Sequence, residues 1–321
     1  MDHTPGTDWI LGFDIGGTKT AAVAGTAHGE IVDRVVFSSA PTRGFEPMWS
    51  DLVAAGQELV ARHGEPSGVG ASIGGPLDST RGIIYSPPNL PGWDEIPLKD
   101  LLAQAFGVPA EVEHDAKACA LAEWLFGAAR GRQTIVFLTF GTGLGAGLIL
   151  DGRLHRGVTE TAGEVGHWRV AGDGPLVYGK RGSWEGYSSG AGLAGLTGFL
   201  FPGCFGDEEE AAGVIERARQ GDQAALHVVE TSARVLGHGI ALLVDLLNPQ
   251  MVVLGSLAVR AGDLFIPIAR AVLDEEALPR AAAACEIVPA ELGEQIGDVA
   301  AVCPVIYRRS ESPAGVHERS V

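Results

Sequence analysis

The chain has 321 residues, enough for two α/β lobes whose cores need no disulfide staples. Asp and Glu number 40 against 23 Lys and Arg, and the net charge of −17 argues against nucleic acid and anionic membrane as partners. Cys119, Cys204, Cys285 and Cys303 form no C-x-x-C pair, which argues against a zinc ribbon or a disulfide framework. No signal-peptide pattern precedes Asp8 and no apolar run approaches a membrane span, so a cytoplasmic location is expected.

Trp9 to Gly25 reads as strand, glycine turn and returning strand, followed by a strand over Ile31–Phe37, a helix over Glu46–Arg62 and a buried strand over Val69–Ile73. After the Pro-rich run Ser86–Trp93 come a helix over Leu98–Phe106, a strand near Glu111 and a helix over Ala116–Phe126. The opening device then recurs about 125 residues on: the β-branched and aromatic run Thr134–Phe140, the turn Gly141–Gly147, and the returning Leu148–Leu150. A helical tract over Glu208–Leu247, interrupted near Gly221, precedes a strand (Met251–Leu254), a helix (Asp263–Leu273), a strand (Glu286–Pro289) and a closing helix from Gly297. Helices alternating with strands predict an α/β fold with mostly parallel sheets. The expected division is an N-terminal lobe over 1–115, with the helix near 297–307 packing back on it, a larger lobe over 116–296, and a flexible polar tail over 308–321. The 46 glycines, about twice average usage, cluster beside apolar runs, where they permit positive φ or close backbone approach to a ligand.

Asp14-Ile15-Gly16-Gly17-Thr18-Lys19 sets a carboxylate at a strand end, then amides with no side chains in the way, a hydroxyl and a cation. Such a turn can cradle phosphate, or it can be a plain hairpin with a satisfied Asp14. It is not a Walker A loop, because Lys19 does not directly follow the second glycine and strand comes next. Gly141-Thr142-Gly143-Leu144-Gly145-Ala146 formally matches the dinucleotide fingerprint, but Gly145, Gly147 and Leu148–Leu150 favour a hairpin over the helix that a dehydrogenase would need. Asp115, between strand and helix, fits either an N-cap or a general base for a substrate hydroxyl. Glu164, His167 and Glu185 lie in glycine-rich segments. Each is an ordinary loop or core side chain taken singly, or together they read a polyhydroxylated ligand, each carboxylate accepting from adjacent hydroxyls.

Six segments occur in one order between Ile10 and Val302: Gly12-Phe13-Asp14-Ile15-Gly16-Gly17-Thr18-Lys19; Pro88-Asn89-Leu90-Pro91-Gly92-Trp93; His114-Asp115-Ala116; Gly141-Thr142-Gly143-Leu144-Gly145; Ala162-Gly163-Glu164-Val165-Gly166-His167; and Val253-Leu254-Gly255. In that combination the chain resembles the ROK family (repressors, open reading frames, kinases) of sugar kinases, in the wider actin and hexokinase fold group. The resemblance implies a two-lobed, ribonuclease H-like α/β fold with a cleft between lobes, and ATP-dependent phosphoryl transfer to a hexose, usually at the 6-hydroxyl. By similarity Asp14 would organise Mg²⁺ through water. Gly16, Gly17, Thr18, Lys19, Gly141, Thr142 and Gly143 would hold phosphates, and Gly255 would lie near the nucleoside. Asp115 would be the base, and Asn89, His114, Asp115, Glu164, His167 and Glu185 would bind the sugar. Similar proteins are often homodimers, and the implied partner is a small sugar. Family repressors add an N-terminal DNA-binding segment, whereas about nine residues precede the first strand here, which argues for a kinase over a regulator.

Three departures from the family pattern bear on the chemistry. The zinc segment C-x-C-G-x-x-G-C-x-E aligns to Leu176-Val177-Tyr178-Gly179-Lys180-Arg181-Gly182-Ser183-Trp184-Glu185, without cysteines, so no structural zinc is expected and Tyr178 and Trp184 would fill the volume. His114-Asp115-Ala116-Lys117 stands where Asn-Asp-Ala-Asn is usual. His114 should therefore change the donor and acceptor pattern around the sugar's 3- and 4-hydroxyls, pointing to glucose or an aminated analogue such as the 3-amino sugar kanosamine. Gly255-Ser256 replaces a Gly-Gly pair near the nucleoside. A sugar-binding protein without catalysis, or a kinase for an N-acetylhexosamine or fructose, is the alternative.

Overall fold

Apolar residues at nearly every position make Trp9–Ile15 (β1) a strand covered on both faces, and Lys19–Thr26 (β2) returns antiparallel beside it, pairing Asp14 with Ala21 and Ile15 with Thr20. Ile31–Ser38 (β3) alternates half-buried with exposed residues, the signature of an edge strand with one covered face. Phe45–His63 (α1) turns Met48, Leu52, Ala55 and Leu59 inward at helical spacing and ends at Gly64, where φ is 81°. Val69–Ile73 (β4) then joins β1 in parallel. Leu77–Asp78 (β5), Ile83–Ile84 (β6) and Ile96–Pro97 (β7) form a small antiparallel sheet that the sequence reading missed. Leu98–Phe106 (α2), Ala110–His114 (β8) and Asp115–Phe126 (α3) follow, and the large sheet runs β3-β2-β1-β4-β8.

The computed structural model describes residues 8–206 and 209–311, and these divide into two units. Of the described residues, the first takes in 8–122, 156–161 and 295–311, the second 123–155, 162–206 and 209–294. The division falls inside α3, not at the 115/116 junction expected from the sequence, and residues 156–161 return to the first unit. Glu160 pins that return: its carboxylate accepts from Ser79 N (2.8 Å) and Thr80 Oγ1 (2.9 Å), and its carbonyl accepts from Lys117 Nζ. The C-terminal helix, Ile296–Glu311, packs Ala301, Val302 and Val305 on Ile10, Ala21 and Val23. A Cβ on Gly12 would lie 2.8 Å from Val302, and one on Gly70 would meet the Ala301 carbonyl, so these glycines set how closely the helix approaches. That helix continues through Arg308 and Arg309, residues assigned to the tail by the sequence reading, because Arg309 donates to the carbonyl (3.0 Å) and hydroxyl (2.8 Å) of Ser67. The rest of the expected tail, 312–321, lies outside the described residues.

In the second unit Ile135–Leu138 (β9) and Ala146–Leu150 (β10) repeat the antiparallel hairpin, followed by Arg153–Leu154 (β11). Leu176–Val177 (β12) and Lys180–Arg181 (β13) make a separate ribbon ahead of Trp184–Tyr187 (α4) and Gly190–Leu200 (α5). Ala211–Arg219 (α6) and Gln223–Leu247 (α7) part around Gly221, where the sequence places the interruption; the expected start at Glu208 lies outside the described residues. Asp222 caps α7 by accepting from the amides of Ala224 (3.0 Å) and Ala225 (3.2 Å). Met251–Leu254 (β14) runs parallel to β9, and Leu257–Glu276 (α8), Pro279–Ala284 (α9) and Glu286–Pro289 (β15) complete the unit. Helix α8 outruns the expected Asp263–Leu273 at both ends, with a non-helical turn at Ala261. The sheet order is β11-β10-β9-β14-β15, the same arrangement as in the first unit, two antiparallel pairings followed by two parallel ones. Among the described residues no helix is long and apolar enough to cross a membrane.

Candidate functional site

In the first unit, strand β1 ends by delivering Asp14 beside the turn to β2. Gly16 N donates to Lys19 O (3.2 Å), while Ser39 ties the turn from outside, its amide to Thr18 O (3.0 Å) and its hydroxyl to Gly16 O (2.6 Å). The Gly16, Thr18 and Lys19 carbonyls are thus engaged, and the Gly17 and Thr18 amides have no acceptor among the described residues. A turn with unpaired amides suits an anion. Gly17 packs on Asn89, where a Cβ would come within 2.9 Å of the Asn89 Cβ. Burial, followed by the charges of Asp298 and Asp115, pushes the Asp14 carboxyl up to about 6 against the opposing pull of Lys19 and Arg34. Asp298 sits in the first turn of the C-terminal helix, paired with Arg34 at 2.9 Å, and was missed by sequence reasoning. Gly297 precedes it, where a Cβ would strike the Asp14 carboxylate.

Asp115 stands at the first position of α3, close enough to Asp14 to raise its pKa. Its Oδ1 accepts from Ala116 N (2.6 Å) and lies 3.0 Å from His114 Nδ1, whereas Oδ2 has no protein partner among the described residues. An N-cap would accept from amides two or three positions on. One oxygen is instead fixed by the next amide, which also donates to His114 Nδ1 (3.2 Å), and the other is left for a proton. The His114 ring rests on Gly75, where a Cβ would approach Cδ2 at 2.6 Å. Lys117, which follows in the same segment, is buried and holds the Glu160 carbonyl.

The second unit repeats the open-amide turn without charges. Gly190 N donates to Gly141 O (2.6 Å) and Ala191 N to Thr142 O (3.2 Å), so the start of α5 engages the carbonyls, while the amides of Thr142 and Gly143 have no acceptor among the described residues. Behind this turn lies Glu185, 9% exposed, whose Oε2 accepts from Leu144 N (2.8 Å) and Tyr178 Oη (3.0 Å). A Cβ on Gly143 would lie 2.9 Å from that oxygen and one on Gly166 3.2 Å, so glycine is required on both sides. His167 stacks on Tyr178 with ring centres 4.1 Å apart, and the charge of Glu164 reaches the same phenol. Gly255 packs against Thr139, where a Cβ would come 2.7 Å from the carbonyl oxygen, and Ser256 after it adopts a φ of 38°.

The first unit therefore collects Asp14, Gly16, Gly17, Thr18, Lys19, Asn89, His114 and Asp115. The second collects Gly141, Thr142, Gly143, Glu164, His167 and Glu185, with Gly255 beside Thr139. The segment aligned with the family's zinc loop is the β12–β13 ribbon leading into α4. Trp184 is fully buried there and stacks on Trp168 with centres 5.6 Å apart, but Tyr178 is not buried and reaches Glu185 through its hydroxyl. The sequence expectation of two packing residues is thus corrected for Tyr178.

The chain resembles known proteins over nearly its whole length. A glucokinase of Halalkalibacterium halodurans is 33% identical over 305 residues, 90% of this chain and 92% of that protein. The crystal structure of a ROK hexokinase from Thermus thermophilus superposes with a TM-score of 0.80 at 30% identity, covering 94% of this chain and 99% of that one. A ROK family glucokinase from Streptomyces griseus, in complex with glucose and AMPPNP, gives 0.76 at 32% identity, covering 92% and 98%. The fold is the mixed α/β type of the actin and hexokinase group. The ROK family model matches residues 10–304, and the chain belongs to the ROK family.

Proposed function

We propose that this protein is an ATP-dependent hexose kinase that phosphorylates the 6-hydroxyl of glucose or of an aminated glucose such as kanosamine. The observation that carries the reading is Asp115: a carboxylate at a helix N-terminus with one oxygen fixed and the other open, in the same unit as Asp14 and the donor turn at Gly17 and Thr18. Relatives at 30–33% identity that are named glucokinase or hexokinase support the class of reaction.

In the proposed reaction the sugar hydroxyl oxygen attacks the γ-phosphorus of ATP, its proton passes to Asp115 Oδ2, and the bond to the β–γ bridging oxygen breaks to release ADP. Phosphoryl transfer asks the protein mainly for alignment and charge neutralisation. The amides of Gly17, Thr18, Thr142 and Gly143 supply donors without side chains in the way, and Lys19 adds a cation. Gly16 and Gly141 shape the two turns, and Gly255 is assigned to the nucleoside. The carboxylate of Asp14 fits Mg²⁺ held through water, an ion that neutralises phosphate charge when bound. Asn89, His114, Glu164, His167 and Glu185 are assigned to the sugar's remaining hydroxyls, with His114 deciding what is accepted at C3 and C4.

The test is ADP release from Mg-ATP across glucose, kanosamine, glucosamine, N-acetylglucosamine, N-acetylmannosamine, mannose and fructose, each against a blank without sugar. Turnover with glucose or kanosamine supports the assignment. Turnover confined to an N-acetylhexosamine or to fructose moves the acceptor. No turnover, with sugar binding retained in calorimetry, makes the protein a sugar binder without catalysis. Light scattering of the same sample reads whether it is the homodimer that the resemblance implies.

A further inference from the structure

The β12–β13 ribbon turns through Tyr178 and Gly179, whose φ values are 52° and 70°. Two central residues with positive φ mark the turn that hairpins fill with Asn, Asp or Gly, and an aromatic residue at the first of them is strained. Tyr178 is also 54% exposed, so the strain does not serve core packing. Strain of this kind persists where surrounding contacts over-determine it and clusters at functional positions.

The contacts that hold Tyr178 are specific. Its hydroxyl donates to Glu185 Oε2 at 3.0 Å, and its ring lies on the His167 imidazole with an interplanar angle of 20°. Lys180, two residues on in the same ribbon, donates from Nζ to the His167 carbonyl. With Leu144 N also on Oε2, that oxygen is fully engaged, while Oε1 has no protein partner among the described residues. We propose that Tyr178 is a positioning residue, fixing the Glu185 carboxylate and the His167 ring so that Oε1 and the imidazole edge are presented together to adjacent sugar hydroxyls. This rests on the kinase reading above. Burial of the hydroxyl and the negative charge of Glu185 push the phenol's pKa upward, so the donor keeps its proton throughout the working range. The phenol and the Leu144 amide, both donating to Oε2, orient the carboxylate at the start of α4.

Two variants separate positioning from turn-making. Tyr178→Phe keeps the ring and removes the donor, and Tyr178→Asn suits the positive φ and removes both contacts. With the sugar that the wild type turns over, Tyr178→Phe should raise the sugar KM about 10-fold while kcat stays within about 3-fold and the ATP KM is unchanged. Tyr178→Asn should lower kcat/KM for sugar about 100-fold while melting at or above the wild-type temperature. Wild-type KM in Tyr178→Phe, or wild-type kcat/KM in Tyr178→Asn, overturns the proposal, because a residue needed only for the turn or for packing would give those results. Activity that returns after chelation only with Zn²⁺, and not with Mg²⁺ alone, also overturns it. If instead the wild type turns over no sugar, it is the kinase reading that fails, and calorimetric sugar binding by the same variants then tests the positioning role directly.

Discussion

The two glycine turns occupy the same place in two sheets of the same strand order, yet they are chemically unlike. The turn after β1 is flanked by Asp14 and Lys19, has Asp298 and Asp115 near enough to raise the Asp14 pKa, and is tied down by Ser39. The turn after β9 has no charged residue from Ile135 to Leu150; its Gly141 and Thr142 carbonyls are taken by α5, and its Thr142 and Gly143 amides have no acceptor among the described residues, beside a carboxylate that is already hydrogen-bonded. A hairpin with glycines is enough to present backbone donors, and both copies keep that. What differs is where charge is stored: as ionisable side chains under desolvation in the first unit, and as neutral amides in the second. The first arrangement is sensitive to pH and charge, the second to volume.

The largest expected effect follows from removing the charge that the second unit has no counterpart for. Asp115→Asn should cut kcat about 10³-fold with melting temperature little changed, read by ADP release and calorimetry. Asp14→Asn should lower turnover about 100-fold and at the same time stabilise the unliganded protein. The sign follows from linkage. The folded Asp14 pKa, about 6, lies above the ordinary 3.8, so the folded state binds the extra proton between those values and loses stability as pH rises through them. The melting advantage of Asp14→Asn should vanish below about pH 4 and reach about 3 kcal/mol above pH 6. Were it constant across that range, desolvation of the carboxylate would not be its cause.

Volume is the lever in the second unit. Gly143→Ala places a methyl 2.9 Å from Glu185 Oε2 and should reduce kcat/KM about 30-fold with no pH dependence of its own, which a pH series of initial rates checks. The smallest effect is expected at Ser256, where a φ of 38° favours glycine: Ser256→Gly should stabilise by about 1 kcal/mol in denaturant titration and leave kcat unchanged.

Much of this was legible in the sequence because it depends on local pattern. The two hairpins declare themselves by β-branched runs around glycines, α1 by its inward stripe, and β3 by alternation. What escaped is set by distant partners. Helix α5, Gly-Ala-Gly-Leu-Ala-Gly-Leu-Thr-Gly-Phe-Leu, has poor helical propensity and forms behind a cap in which Ser189 accepts from Gly192 N at 2.9 Å. The unit boundary leaves no mark inside the unbroken helix α3, and the return of residues 156–161 rests on Glu160 reaching Ser79 and Thr80. Among the site residues, the strand-end and turn positions could be picked out by type and spacing. Asp298 and Tyr178 could not, because one acts on a carboxylate nearly three hundred positions away and the other works through a turn conformation its residue type does not announce.

The docking of the C-terminal helix on Gly12, Gly25 and Gly70 also fixes an order of events during synthesis. The strands of the first unit leave the ribosome before the second unit, but the helix that covers Ile10 and Val23 is made after it, so that face stays bare while everything between is translated. Apart from the early α3 residues, the second unit is made without such a wait, since Glu123–His155 and Ala162–Glu294 are both complete before Val302 emerges. A nascent chain stalled near residue 294 should therefore carry a folded second unit and an aggregation-prone first one, which makes the docking of that helix the step that completes the first unit's core.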